Sequence, residues 1–180
     1  MYFAVFFFAN FLKNMKKVIF YLILIFLINK PVFAQVVDST SFNWLVYEIP
    51  DPEDSEFKLC YMVAHPISSD TDHSSRKKPY LMITRFQKTR SEEISIYGGY
   101  EFKLNSNIFL LIDSYQFRLK TKSEIAWAKT KQEDINIIQT LLNASRVRVR
   151  SDSAVGTYAI DEYSLKGIVK AYGRIRNICQ

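Results

Sequence analysis

The chain has 180 residues, with 24 lysines and arginines against 18 aspartates and glutamates, and a formal net charge of +6. Residues 1–34 contain four of the lysines and no acidic residue, so residues 35–180 carry only 20 − 18 = +2. This small excess argues against a strongly basic, nucleic-acid-binding protein, and the length argues against several domains. Two histidines, two cysteines and five glycines also leave little material for a metal cage or a glycine-rich phosphate loop.

The first 34 residues have the composition of a secretory leader. Met15 is followed by two lysines, an apolar run over residues 18–28, and a small residue, Ala34, at the expected cleavage site. We therefore predict a signal peptide over residues 1–34, with Met15 as an alternative start of translation, and a single domain over residues 35–180. The competing interpretation is an uncleaved anchor extended by residues 1–14, but three lysines would then lie near mid-membrane. A cleaved leader predicts export to the periplasm, or onward to the cell surface.

Both cysteines, Cys60 and Cys179, lie after the predicted cleavage site. A pair of cysteines in an exported domain is typical of one disulfide, which here would close a loop of 179 − 60 = 119 residues. The alternatives are two buried free thiols or a catalytic thiol. His65 is the histidine near Cys60 in sequence, and residues five apart on a strand point to opposite faces, which argues against a catalytic pair.

Segments rich in aromatic and β-branched residues predict short strands, and two later segments with apolar residues on one helical face predict helices. The fold class predicted is mainly β: an antiparallel sandwich or barrel-like domain with two late helices, the last one C-terminal. Ser164 is the predicted N-cap of that last helix, and residues 35–43 and 66–79 are predicted to be polar connections. The strands are predicted at residues 42–49, 57–64, 80–86, 92–97, 107–112, 115–119, 125–127, 146–150 and 157–163, and the helices begin near residues 132 and 165.

Several short segments, taken in order, form a pattern that extends over about residues 42–180. The segments are residues 43–46 (NWLV), 60–66 (CYMVAHP), 79–85 (PYLMITR), 93–100 (EISIYGGY), 156–157 (GT), 163–167 (YSLKG), 170–172 (KAY) and Cys179. The Cys-aromatic and Tyr-Ser-Leu-x-Gly segments are the most specific. Together the segments resemble the invasion-associated locus B family of exported bacterial proteins.

The resemblance implies a periplasmic or surface-associated all-β domain without a known enzymatic activity, cofactor or active site, so it provides no catalytic residues. Many relatives carry a cysteine soon after the tryptophan, whereas residues 46–48 (VYE) contain none here. The resemblance therefore implies that the disulfide is Cys60–Cys179 or absent. Ile168 stands where relatives usually have phenylalanine, and the position stays apolar.

Two clusters of basic residues are candidates for binding an anionic surface. Arg146, Arg148 and Arg150 alternate along a predicted strand, so their guanidinium groups share one face at about 6.6 Å spacing. The alternatives are an ordinary solvated face or cross-strand pairing with Asp161 and Glu162. The second cluster, residues 76–78, comprises Arg76, Lys77 and Lys78 in the long polar loop. The sequence leaves open whether the two clusters meet in space.

Other chemistry has weaker support. His65 and His73 could bind zinc with Asp70 or Asp72, but their spacing matches no established site. Acyl-transfer catalysis would need a nucleophile elbow, and no Gly-x-Ser-x-Gly occurs in the chain. We therefore predict no cofactor and no resident metal.

The functional prediction is a non-enzymatic exported protein that binds a macromolecule at the cell envelope or host interface. The predicted partner is an unknown protein or envelope component, with no nucleic acid, and with membrane contact only through an uncleaved leader. The alternatives are a carrier of a small molecule or lipid, favoured by an enclosed apolar cavity, and a hydrolase, favoured by titratable groups that converge in a cleft.

Overall fold

A computed structural model describes residues 36–180, with side chains from residue 41 onward. The predicted signal peptide and its cleavage site therefore lie outside the described residues. The described secondary structure consists of eleven strands and two helices. In chain order these are β1 (Val36–Ser41), β2 (Trp44–Pro50), β3 (Lys58–Ala64), β4 (Ser68–Thr71), β5 (Tyr80–Phe86), β6 (Glu92–Tyr97), β7 (Asn107–Ile112), β8 (Tyr115–Lys122), β9 (Ile125–Trp127), α1 (Lys131–Asn143), β10 (Arg146–Asp152), β11 (Tyr158–Ser164) and α2 (Ile168–Ile178).

The strands form one curled antiparallel sheet in the order β1-β2-β3-β5-β6-β9-β8-β7-β10-β11-β4. The predicted fold class, mainly β with two late helices, is confirmed. Two strands were missed, because β1 (VVDSTS) and β4 (SSDT) lie in segments predicted to be polar connections. Both are edge strands, which are held by backbone hydrogen bonds to a single neighbour and need no buried apolar face.

The core lies on the inner face of the sheet. Strands β10 and β11 alternate strictly, so that Val147, Val149 and Tyr163 are buried while the residues between them are exposed or half-buried. Both helices contribute to the same core, α1 with Ile137 and Leu141 among others, and α2 through its own apolar stripe. Neither helix of the described part of the chain is long and apolar enough to cross a membrane.

Helix α1 contacts the part of strand β6 that lacks a neighbouring strand on one side. Strand β9 has only three residues and pairs with Ser95–Tyr97, so the first half of β6 lacks a strand on that side. The carboxylate of Asp134, in the first turn of α1, accepts a hydrogen bond of 2.9 Å from the backbone N–H of Ile94 in that half. Thr130 caps the helix by accepting from the backbone N–H of Glu133.

Helix α2 begins later than predicted. Gly167, not Ser164, precedes its first turn, and the Ser164 hydroxyl instead accepts from the backbone N–H of Lys166. Gly167 adopts φ +90°, and a Cβ atom there would come within 2.7 Å of the carbonyl oxygen of Ser41. The close approach to the β1–β2 turn therefore fixes the start of the helix, and a side chain cap does not.

The predicted disulfide joins Cys60 of β3 to Cys179, directly after α2. The two Cα atoms lie 6.0 Å apart, and both residues are fully buried. The bridge therefore fixes the end of the last helix against the inner face of the sheet.

Candidate binding surface

Arg76 is buried on the inner side of the sheet, which corrects its assignment to an anion-binding surface. Its guanidinium donates to both carboxylate oxygens of Asp161 at 2.7 and 2.5 Å, and the side chains are 7% and 1% exposed. The guanidinium also lies 4.9 Å from the centre of the Tyr100 ring, and Ser69 donates a further hydrogen bond of 2.6 Å to Asp161. Arg76 therefore neutralises an internal carboxylate and is not available to an external anion.

Arg146, Arg148 and Arg150 lie on the opposite, outer face of β10, where all three are exposed. They do not stand alone there, because β10 pairs with β7 and β7 pairs with β8. Residues that are paired across an antiparallel sheet share a face. The outward positions of these three strands are Asn107, Phe109 and Leu111 on β7, Gln116, Arg118, Lys120 and Lys122 on β8, and Arg146, Arg148, Arg150 and Asp152 on β10.

These outward positions form what we call the basic face, defined by the six cations Arg118, Lys120, Lys122, Arg146, Arg148 and Arg150. Against them the same positions contain one carboxylate, that of Asp152. Residues 35–180 together carry 20 basic and 18 acidic side chains. The positive charge is therefore concentrated on three adjacent strands and is not evenly distributed over the domain.

Most cations of the basic face have no acidic partner within the described residues. Arg146 is the exception, because it pairs with Glu162 on β11 at 3.0 Å. Arg118 lies over the ring of Phe109 at 5.5 Å from its centre. Cross-strand pairing, one of the predicted alternatives, thus holds for Arg146 and Glu162 but not for Asp161, which binds Arg76 on the other face.

The second predicted cluster is divided by the fold. Lys77 follows Arg76 but points elsewhere: its ammonium pairs with Glu124 at 2.8 Å, and hydrogen bonds, first to Glu124, raise the pKa of Lys77. Glu124 lies in the β8–β9 turn, two residues after Lys122. Lys77 is therefore next to one end of the basic face. Both Lys77 and Lys78 are exposed.

An open cleft of about 330 Å³ lies at the other end of the basic face. Arg146 and Arg148 line it on one side, and Asp113 and Glu162 contribute carboxylates. Because charges of both signs meet there, the cleft is less suited to an anion than the open surface of β8 and β10.

The histidines and their neighbouring aspartates are engaged in separate structural contacts. His65 Nδ1 lies 2.7 Å from the carbonyl oxygen of Pro79, and His73 Nδ1 lies 2.7 Å from the hydroxyl of Thr157. Asp72 accepts from the backbone N–H of Tyr158, and Asp70 from the Tyr158 hydroxyl. Within residues 36–180, no group of three or more potential ligands is placed to hold a metal ion.

The sequence-based prediction included the three cations of the basic face on β10 but not the three on β8. Arg118, Lys120 and Lys122 alternate on β8 in the same way as the arginines on β10, so the signal was present. What the sequence does not contain is the pairing of both strands with β7, which separates them by about 10 Å.

No family model and no curated protein matches the sequence of this chain. Among solved structures, it is similar to the crystal structure of invasion-associated protein B from Bartonella henselae, with a TM-score of 0.53 and 11% identity. The match covers 78% of this chain and 96% of that one. The structural likeness agrees with the resemblance seen in the sequence motifs, and the chain has the fold of an invasion-associated protein B.

Proposed function

We propose that this protein is an exported, non-enzymatic component of the cell envelope that binds an anionic macromolecular partner through the basic face. The observation that carries the proposal is the segregation of charge: six cations and one carboxylate occupy the outward positions of β7, β8 and β10. An exposed patch of one sign attracts and orients a partner of the opposite sign.

Export is supported by the leader-like composition of residues 15–34 and by the Cys60–Cys179 disulfide. Disulfides persist in oxidising compartments such as the periplasm and are rare in the cytosol. The likeness to an invasion-associated protein B is compatible with this location.

Binding is favoured over catalysis because the arginines and carboxylates of two buried ion pairs neutralise one another. Arg76 pairs with Asp161, and Arg85 pairs with Glu92 at 2.8 Å. One cleft is poorly suited to carrying an apolar ligand, because it is open to solvent, has a volume of about 540 Å³ and includes Arg85, Arg90 and Arg176 in its lining.

The test is retention of envelope material by the immobilised protein. We expect an envelope extract to bind at low ionic strength, to elute at about 0.5 M salt, and to be retained poorly by the triple variant Arg118→Gln/Lys120→Gln/Arg148→Gln. The double variant Lys129→Gln/Lys131→Gln, which removes two exposed cations outside the basic face, serves as the control. Equal retention by the triple variant and the wild type would refute the assignment of the basic face.

A further inference from the structure

The outer surface of the sheet continues from the basic face onto an aromatic and apolar region. Lys120 is paired with Trp127 on β9, Trp127 with Ser95 on β6, and Ser95 with Met82 on β5. A second row runs from Lys122 through Ile125 and Tyr97 to Tyr80. The first row continues through Val63 on β3 to Leu45 on β2, and a third row runs from Glu93 on β6 through Thr84 and Tyr61 to Tyr47. We call this region the aromatic face and define it by Leu45, Tyr47, Tyr61, Val63, Tyr80, Met82, Tyr97, Ile125 and Trp127.

The aromatic face is only partly covered. Apart from Tyr61, which is 9% exposed, its side chains are half-buried. The apolar side chains of α1 and α2 belong to the inner core, on the other side of the sheet. Strands β2, β3 and β5 are thus apolar on both faces, although an antiparallel sheet with one solvated face normally alternates apolar with polar residues.

The rings of the aromatic face are held in place by one another. Tyr47 stacks on Tyr61 with ring centres 5.2 Å apart, and Tyr80 stacks on Tyr97 at 4.9 Å. Tyrosine and tryptophan combine an apolar ring with a polar group, which suits the boundary between lipid headgroups and hydrocarbon. A rigid array of such rings loses little side-chain entropy when it is covered.

The arrangement of the cations favours a surface over a narrow ligand. They are distributed over two strands, β8 and β10, which lie about 10 Å apart on either side of β7, with about 6.6 Å between successive outward residues of each strand. An acidic peptide would be recognised along a single line, for instance at a sheet edge, but β7, β8 and β10 are all internal to the sheet. A layer of anionic headgroups presents charge in two dimensions, as the basic face does.

We infer that the partner of the basic face is an anionic lipid surface, on which the cations contact phosphate headgroups while Trp127 and the adjoining aromatic residues enter the interfacial zone. The inference rests on the proposed function and identifies the class of its partner. Charge complementarity supplies the attraction, at about fivefold in affinity for each cation near an anionic leaflet. The aromatic face supplies a second contact that a purely electrostatic partner would not use.

The test uses vesicles of phosphatidylcholine with and without 30% phosphatidylglycerol, and the protein purified after export by an expression host. We expect binding only to the anionic vesicles and a loss on the order of 25-fold for Arg148→Gln/Arg150→Gln, from about fivefold for each charge. The control variant Lys129→Gln/Lys131→Gln should bind nearly as the wild type does. All variants are produced and exported in the same way, so any contribution of the leader to vesicle binding is the same in each of them and does not affect the comparison.

Fluorescence reports on the aromatic face separately. The chain has two tryptophans, of which Trp44 is fully buried and Trp127 lies on the aromatic face. We expect a blue shift on anionic vesicles that disappears in Trp127→Phe. A shift that persists in this variant would overturn the orientation, as would equal vesicle binding by the Arg148→Gln/Arg150→Gln variant.

Dextran sulfate, an acidic polymer without a lipid phase, distinguishes failure of the inference from failure of the proposed function. Binding to dextran sulfate through the same arginines, without binding to anionic vesicles, would overturn the lipid partner and leave the basic face as the site for an acidic macromolecule. Failure to bind either probe would overturn both.

Discussion

At the scale of single residues, neighbours in the sequence take opposite roles. Arg76 and Lys77 are adjacent and chemically alike, yet one is buried against Asp161 and the other pairs at the surface with Glu124. The difference depends on β4, whose pairing with β11 places Ser69 opposite Asp161 and brings the loop after β4 close to that carboxylate. No local pattern contains this information, because Arg76 and Asp161 are 85 residues apart.

The first prediction concerns this buried pair. Replacing Arg76 by Leu leaves the Asp161 carboxylate uncompensated in the interior, and we expect the free energy of unfolding to fall by about 3–5 kcal/mol. The double variant Arg76→Leu/Asp161→Leu should lose less than the single variant, because both charges are removed together. Urea unfolding measures the loss of unfolding free energy in the single and the double variant.

Arg146→Leu is the matched control, since its pair with Glu162 is exposed at the arginine (68%) and should be worth less than about 1 kcal/mol. If Arg76→Leu lowered the free energy of unfolding no more than Arg146→Leu does, the Arg76–Asp161 pair would have no special role in stability.

At the scale of elements, the first turn of α1 meets β6 through two carboxyl groups. Burial raises the pKa of Asp134, and burial together with the nearby Asp134 charge raises the pKa of Glu93. Asp134 has a structural role, since it accepts the backbone N–H of Ile94. Glu93 makes no corresponding hydrogen bond within the described residues, so its charge mainly opposes that of Asp134.

The second prediction follows from the sign of these shifts. A carboxyl group whose pKa is higher in the folded state binds more protons there, so stability falls as the pH rises through the interval above about 4. Glu93→Gln should therefore stabilise the protein at pH 7, by about 0.5 kcal/mol after solvent screening, and have little effect near pH 4. Urea unfolding at the two pH values tests this, with Glu101→Gln in an exposed loop as the control. A gain of equal size at both pH values would contradict the role of the charge.

The elements that the sequence predicts are those with their own apolar pattern. The alternation of β10 and the helical stripe of α1 are local, and both elements are found where expected. The edge strands β1 and β4 were missed, and so was the start of α2 directly after Gly167, because these depend on backbone pairing and on the approach of Ser41. The same limit applies to the basic face: its arginines on β10 were predicted, but its extent over β8 depends on the sheet order.

At the scale of the whole molecule, the two faces of the sheet have different tasks. The inner face carries the core, both helices and the Arg76–Asp161 pair. The outer face carries the basic face and, across β9, the aromatic face. Stability and the proposed binding are thus assigned to opposite sides of the same strands. Substitutions on the outer face can therefore test binding with little effect on folding, which the Gln variants of the basic face exploit.

The last prediction concerns the disulfide that joins strand β3 to the end of helix α2. Cys60 and Cys179 are 119 residues apart, and cross-linking so long a loop restricts the unfolded chain strongly. We expect the variant Cys60→Ala/Cys179→Ala to lose about 2–4 kcal/mol of unfolding free energy, and the wild type in dithiothreitol to unfold at a similar urea concentration. The variant should still fold, because the apolar stripe of α2 and the hydrogen bond of 2.8 Å from Arg85 to the Cys179 carbonyl do not require the sulfur atoms. Reactive thiols in the untreated protein, or an unfolding midpoint unchanged in the variant, would show that the bridge does not stabilise the domain.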